Sequence, residues 1–259
     1  MTTGVAMLAL LLGAPDLALL SARTQPAVVK LVAEDARGHE ASSGTGFFVS
    51  ADGRIVTNHH VIDGTSRLVA HLQGGRKVAV AGVLARDEDS DLAVLQAETG
   101  TYPFLTLGGI EKLAVGTPVA VIGSPVGLEG TLSTGIVSAL RERGAEVHGH
   151  QLESWRVQIT APISPGSSGS PVLTEDGRVV AVAVGNVGGG QGLNFAIPAD
   201  LAATLLAGVK PGAQPESLAG SALLRNLAIS AAFFLGIGVA FWLNRRPAQR
   251  RDVRPAVSR

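Results

Sequence analysis

The 259-residue chain has a mass of 26.4 kDa, is 46% apolar and carries 33 glycines, which suits one sizeable globular domain or two small halves sharing a chain. Lys plus Arg equals Asp plus Glu at 21 each, but the balance is uneven. Six arginines against Asp252 give the residues beyond 244 a charge of +5, whereas residues 23–225 hold 15 bases and 19 acids, a net −4. The chain body thus has no basic excess to neutralise phosphates, so no nucleic-acid partner is expected. The absence of cysteine excludes disulfides, thiolate metal sites and thiol nucleophiles.

The first 22 residues hold an apolar run from Val5 to Leu12, then Gly13-Ala14-Pro15-Asp16 and Leu17 to Leu20. Residues 1–22 read as a signal peptide, although the segment before the apolar run lacks Lys or Arg. An uncleaved anchor and a buried core element are the alternatives.

From Pro26 to about Leu206 the pattern is short apolar or alternating runs parted by Gly, Asp and Ser. They are 27–33, 46–49, 77–84, 91–96, 118–122, 131–140, 157–160 and 179–184. Runs of this kind, rich in Val and Ile, predict the strands of an all-β domain. Asp52-Gly53 and Asp176-Gly177, each flanked by apolar pairs, predict hairpins. A short amphipathic helix is expected after Pro198, with Asp200 in its first turn. Pro and Gly then cluster in a linker over 208–217.

Leu227 to Leu243 is a run of 17 residues without a charge. At about 1.5 Å per residue it reaches roughly 25 Å, short of the roughly 30 Å of a bilayer core, so the expected transmembrane helix is 218–243 with Arg225 snorkelling outward. The basic tail 244–259 follows at once, and such clusters stay in the cytoplasm. The expectation is a single-pass protein of the cell membrane, with its main domain extracytoplasmic and its C-terminus cytoplasmic. Ala232, Gly236 and Ala240 form a small-residue line along which two such helices could pair into a homo-oligomer.

Three segments carry candidate chemistry. A strand ends in Asn58-His59-His60-Val61, which can present an imidazole at a domain interface, though a His pair is also common on solvated surfaces. In Asp87-Glu88-Asp89-Ser90-Asp91, Asp91 opens an apolar strand and is the acid placed to be half-buried, where a carboxylate needs a cation or an imidazole N–H. In Ser164-Pro165-Gly166-Ser167-Ser168-Gly169-Ser170, glycines on both sides of a serine permit a tight turn with converging backbone N–H groups; a plain polar loop is the alternative.

The order His60, Asp91, Ser168 is that of the chymotrypsin-like triad. With it go Gly44-Thr45-Gly46-Phe47, Ile55-Val56-Thr57-Asn58-His59-His60-Val61, Asp91-Leu92-Ala93-Val94-Leu95, Ile122-Gly123-Ser124-Pro125-Val126-Gly127-Leu128, Thr134-Gly135-Ile136-Val137-Ser138, Gly166-Ser167-Ser168-Gly169 and Asn194-Phe195-Ala196-Ile197-Pro198. On these stretches, over roughly 26–206, the chain resembles trypsin-like serine proteases of the HtrA/DegP branch. The resemblance implies an all-β fold of two six-stranded antiparallel β-barrels, about 26–108 and 115–206, to which the C-terminal transmembrane helix read from the apolar run is added. It implies a serine endopeptidase acting on protein or peptide substrates, with Ser168 as nucleophile, His60 as general base and Asp91 orienting the ring. The oxyanion hole falls on Gly166, Ser167 and Ser168. No metal or other cofactor is implied.

The residue six before Ser168, where trypsins carry a pocket carboxylate, is Pro162. Ala161, Pro162, Ile163, Val184 and Gly185 are therefore the expected lining of an apolar specificity pocket, with the glycine-rich stretch 185–192 as its adjustable wall. Ser170 stands where the branch usually has glycine and Ser164 where it often has asparagine. No zymogen-type start is present, and no PDZ domain is expected, since the membrane segment and tail use the remaining length. A catalytically silent, peptide-binding adaptor of the same fold is the alternative function.

Overall fold

The protein is described by a computed structural model at residues 16–35, 37–111, 113–124, 130–147, 150–152, 154–186 and 193–218. The chain opens with helix α1 (Leu17–Thr24), then strands β1 (Val28–Glu34), β2 (Glu40–Phe48) and β3 (Arg54–Thr57). A single turn, α2 (His59–Ile62), leads to β4 (Leu68–His71), β5 (Lys77–Asp87) and β6 (Leu92–Ala97). These six strands close into an antiparallel barrel in the order β1-β2-β3-β6-β5-β4.

The second half holds β7 (Pro118–Gly123), β8 (Thr131–Arg141), a small hairpin of β9 (Glu146–Val147) and β10 (His150–Gln151), β11 (Arg156–Ile159), β12 (Pro171–Leu173), β13 (Val179–Asn186) and β14 (Asn194–Pro198). Six of them close a second barrel, ordered β11-β14-β13-β12-β7-β8. Helix α3 (Ala199–Ala207) follows Pro198, and the Asp200 carboxylate accepts the Ile110 N–H at 2.9 Å, tying the helix to the connection between the barrels. Both Asp-Gly pairs turn hairpins, with Gly53 at φ 92 and Gly177 at φ 84.

The strands read as nearly continuous apolar runs because both of their faces are covered. Successive side chains point to opposite sides. On β6, Ala93 and Leu95 enter the first barrel's core while Leu92 and Val94 join a second apolar cluster between the barrels and α3. On β2, Phe48 points into the barrel, stacked on Tyr102 with ring centroids 4.3 Å apart, and Phe47 points to the inter-barrel cluster beside Val56, Ile122 and Ile197. The second barrel has its own core around Val121, Val157, Ile159 and Val172.

Two segments at the domain's ends pack against the barrels. Residues 17–22, read as the end of a signal peptide, form most of α1: Asp16 caps the helix by accepting the Leu19 N–H at 2.9 Å, Leu20 and Thr24 are buried, and both lie against Gly177 of the second barrel. Residues 1–15 fall outside the described residues. The end of the Pro/Gly-rich 208–217, expected to be a linker, forms a strap on the first barrel. Glu216 exchanges backbone hydrogen bonds with Val83 at 2.7 and 2.8 Å, its carboxylate meets Arg86 at 3.3 Å, and Leu218 is buried in the first barrel's core. Proline and glycine end the helix without preventing strand pairing, and Gly82 makes room for it, since a Cβ there would lie 2.2 Å from Glu216 O. Among the described residues no helix is long and apolar enough to cross a membrane; the expected transmembrane helix beyond Leu218 and the basic tail lie outside them.

Candidate active site

The three singled-out segments come together at the boundary between the barrels. Asn58 precedes α2, and the turn sets the two histidines on diverging sides. His59 points toward Glu88, 3.9 Å away, while the His60 ring, half exposed, meets Asp91: Nδ1 lies 2.7 Å from Oδ2, and the His60 backbone N–H donates to Oδ1 at 2.9 Å.

Asp91 has φ 62, the one positive value on a non-glycine among the described residues. Such a backbone persists only where its surroundings hold it. Here the Asp91 carbonyl accepts the His59 N–H at 3.1 Å and the Asn58 Nδ2–H at 3.0 Å, and its N–H donates to Glu88 O at 3.2 Å. One residue earlier, buried Ser90 is fixed by Asp87, whose Oδ2 accepts the Ser90 hydroxyl at 2.5 Å. The acidic run is therefore partly a solvated loop and partly a brace that aims Asp91.

Ser168 follows a tight turn. Gly166 has φ 92, Pro165 precedes it, and the Ser167 N–H donates to Ser164 O at 2.9 Å. Proline then glycine at the two central positions, with positive φ at the second, defines a type II turn. The Ser167 amide is thus committed inside the turn and is unavailable to an oxyanion, unlike the expectation that grouped it with its neighbours. The Gly166 and Ser168 amides make no hydrogen bond to any described residue. The Ser168 hydroxyl donates to Val184 O at 2.8 Å rather than to the His60 ring.

Gly44 is where the two halves meet. A Cβ on it would come within 2.8 Å of the Val61 methyls and 3.4 Å of Ser168 O, so its absence lets α2 and the serine loop close on one point. Gly169, at φ 86, is equally constrained: a Cβ would lie 2.0 Å from Thr45 O.

The expected specificity lining divides. Ala161 and Ile163 are buried in the second barrel's core, beyond the end of β11, where the chain still alternates buried and exposed residues. Pro162 is exposed and Val184 half-buried; Gly185 pairs with Phe195 in the β13–β14 ladder. The far part of the glycine-rich stretch, 187–192, lies outside the described residues.

Sequence reading missed Thr45 as a site residue. It is fully buried and bonded through N, O and Oγ1, three of its four hydrogen bonds reaching the serine loop or the end of β7. A hydroxyl between two glycines in Gly44-Thr45-Gly46, where the chain can approach another closely, was the available signal.

Comparison with known proteins agrees with the two-barrel fold. Residues 44–182 match the family model described as a trypsin-like peptidase domain. A "Probable periplasmic serine endoprotease DegP-like" of Chlamydia muridarum is 39% identical over 166 residues, which is 63% of this chain and 33% of that protein. Its counterpart in Hahella chejuensis is 40% identical over 164 residues, 62% of this chain and 34% of that one. The chain thus spans about a third of the length of the curated relatives it matches. Among solved structures, "HtrA-type protease AlgWS227A with tripeptide" superposes with a TM-score of 0.66 at 30% identity, covering 76% of this chain and 64% of that one. The serine endoprotease from Yersinia pestis gives a TM-score of 0.62 at 27% identity, covering 73% and 65%.

Proposed function

The chain belongs to the trypsin-like peptidase family, and from that premise we propose that it is an HtrA/DegP-like serine endopeptidase, cleaving unfolded or membrane-proximal proteins through Ser168, His60 and Asp91. The observation that carries the reading is the 2.7 Å pairing of His60 Nδ1 with Asp91 Oδ2 beside the turn that presents Ser168. The Asp91 carboxylate holds the proton on Nδ1 and leaves Nε2 free to accept. For the reaction the Ser168 hydroxyl leaves Val184 O and turns about χ1, between staggered positions, toward that nitrogen. Attack on a scissile carbonyl transfers the hydroxyl proton to Nε2, which returns it to the leaving amine; water then hydrolyses the acyl-enzyme by the same relay. The Gly166 and Ser168 amides are the donors for the tetrahedral oxyanion. An apolar Pro162 and Val184 favour small or medium aliphatic side chains next to the cleaved bond, since among the described residues no buried charge stands there to pair with Lys or Arg.

An extracytoplasmic site of action is supported by the periplasmic relatives and by the arginines that follow the apolar stretch 227–243. The alternative of a silent peptide-binding domain draws on one observation, the Ser168 hydroxyl resting on Val184 O. Full-length protein in detergent separates the two, because trimming to 24–214 would remove both α1 and the Glu216–Leu218 strap. Fluorophosphonate labelling and casein cleavage, both abolished by Ser168→Ala, are expected of the peptidase. Peptide binding by folded protein with neither labelling nor cleavage would establish the adaptor instead.

A further inference from the structure

We propose that Thr45 is a positioning residue that holds the oxyanion turn in its working orientation from the opposite barrel. The proposal rests on the serine-peptidase reading above. Thr45 lies on β2, opposite Lys30 of β1, but β3 pairs with β2 only at Phe47 and Phe48. From Thr45 backward that edge of β2 has no strand beside it among the described residues, and the serine loop takes the strand's place. The Thr45 N–H donates to Ser168 O at 2.8 Å. Its hydroxyl donates to Gly166 O at 2.7 Å and accepts the Ser124 N–H, from the end of β7, at 3.1 Å. Its own carbonyl accepts the Thr57 hydroxyl at 2.7 Å, which fixes the residue from within the first barrel.

One side chain and its amide thus grip the carbonyls of Gly166 and Ser168, the two residues whose amides are free to face an oxyanion. A type II turn differs from type I by a half-rotation of its central peptide, here Pro165–Gly166, and that rotation would carry the Gly166 N–H away from the cleft. Any such rotation must be accommodated at Gly166, whose carbonyl Thr45 holds. A hydroxyl donates and accepts through one oxygen, so it serves Gly166 O and Ser124 N at once. The β-branch restricts the rotamer that does so. In a buried setting this grip acts on oxyanion geometry more than on substrate binding, because the oxyanion develops only after attack.

The test uses full-length protein with Thr45→Val, which keeps shape and backbone N–H but loses the hydroxyl, and Thr45→Ser, which keeps the hydroxyl. Each is assayed for kcat and KM on a peptide substrate, for melting temperature, and for affinity toward a peptide aldehyde, whose hemiacetal needs the oxyanion donors, against the matching alcohol, which does not. For Thr45→Val we expect kcat and aldehyde affinity to fall together by about 10²-fold, with KM and alcohol affinity within about threefold of wild type and Thr45→Ser restoring both. Equal loss of aldehyde and alcohol affinity, or wild-type kcat in the folded fraction, overturns the proposal. Should Thr45→Val not fold, Thr45→Cys replaces it, its thiol being a weak donor: lowered kcat with unchanged alcohol affinity supports the role, and wild-type kcat refutes it. Wild-type protein that neither cleaves nor labels at Ser168 refutes the peptidase reading itself, whatever the Thr45 variants do.

Discussion

Asp91→Asn isolates what the carboxylate does for the imidazole. Asparagine accepts the left-handed backbone at φ 62 as readily as aspartate and fills the same volume, so the loop should keep its course. The carboxylate, however, takes two hydrogen bonds from His60, at 2.9 Å from the backbone N–H and 2.7 Å at ring Nδ1, and an amide has only one oxygen to offer. The backbone N–H is a donor in every state, whereas the ring can exchange which nitrogen carries its proton. The amide oxygen therefore goes to the backbone and the NH2 group to Nδ1, which places the ring proton on Nε2. A ring protonated there cannot accept from Ser168. We expect kcat to fall by about 10⁴-fold, or about 5.5 kcal/mol of lost transition-state stabilisation, with KM little changed. Steady-state hydrolysis of an internally quenched peptide measures it, with thermal melting as the control for folding. A folded Asp91→Asn enzyme retaining more than about a tenth of wild-type kcat would mean that the carboxylate does not set the tautomer, and the assigned role would be wrong.

Other substitutions test the scaffold. Leu20→Ala should destabilise the protein by about 2–4 kcal/mol in urea titrations, because Leu20 is buried where α1 meets the second barrel; an unchanged midpoint would mean that α1 is not docked in solution. Ser170→Ala should raise stability by about 1 kcal/mol, since the Ser170 hydroxyl is fully buried and finds no partner among the described residues; a lower melting temperature would reveal a bond that the alanine had removed. Burial holds the Tyr102 phenol above its ordinary value near 10.0, with nearby Arg76 opposing and Glu98 reinforcing the shift. The neutral ring is the form the fold prefers, so its stabilisation is complete below pH 10 and lost as pH rises through the folded value. Tyr102→Phe should flatten that alkaline decline in denaturation midpoints measured from pH 8 to 11, and an identical decline would place its origin elsewhere.

The barrels were legible in the sequence because apolar runs between Asp-Gly turns predict strands whatever their partners. What those runs left open was which face looks where, since Phe47 and Phe48 are equally apolar and yet serve different cores. Four-residue β4 escaped notice because Leu68 to His71 is too short for alternation to register. His60, Asp91 and Ser168 could be singled out by residue type and chain order, but the brace around Asp91 could not. It depends on a positive φ, on an asparagine amide reaching across 33 positions, and on the acid at Asp87 bending back to Ser90. Composition at 208–217 gives no sign of the bridge by which Glu216 pairs with β5, because a single bridge leaves no periodicity in the sequence.

The arrangement of the cores explains why the site is assembled from strand ends. Val56 and Leu92, each next to or one residue removed from a site segment, face the cluster between the barrels, as does Phe47 two positions from Thr45. The same apolar contacts that dock one barrel on the other therefore set the separation between His60 and Asp91 on one side and Ser168 on the other. Hydrogen bonds from Thr45 to Gly166 and Ser168 then fix orientation within that separation. Dispersion and burial are non-directional and tolerate small shifts, whereas a catalytic constellation loses rate with displacements near 1 Å. The division of labour follows from that difference in range: an apolar interface brings the halves together, and a few buried hydrogen bonds across it supply the angular precision that the interface cannot.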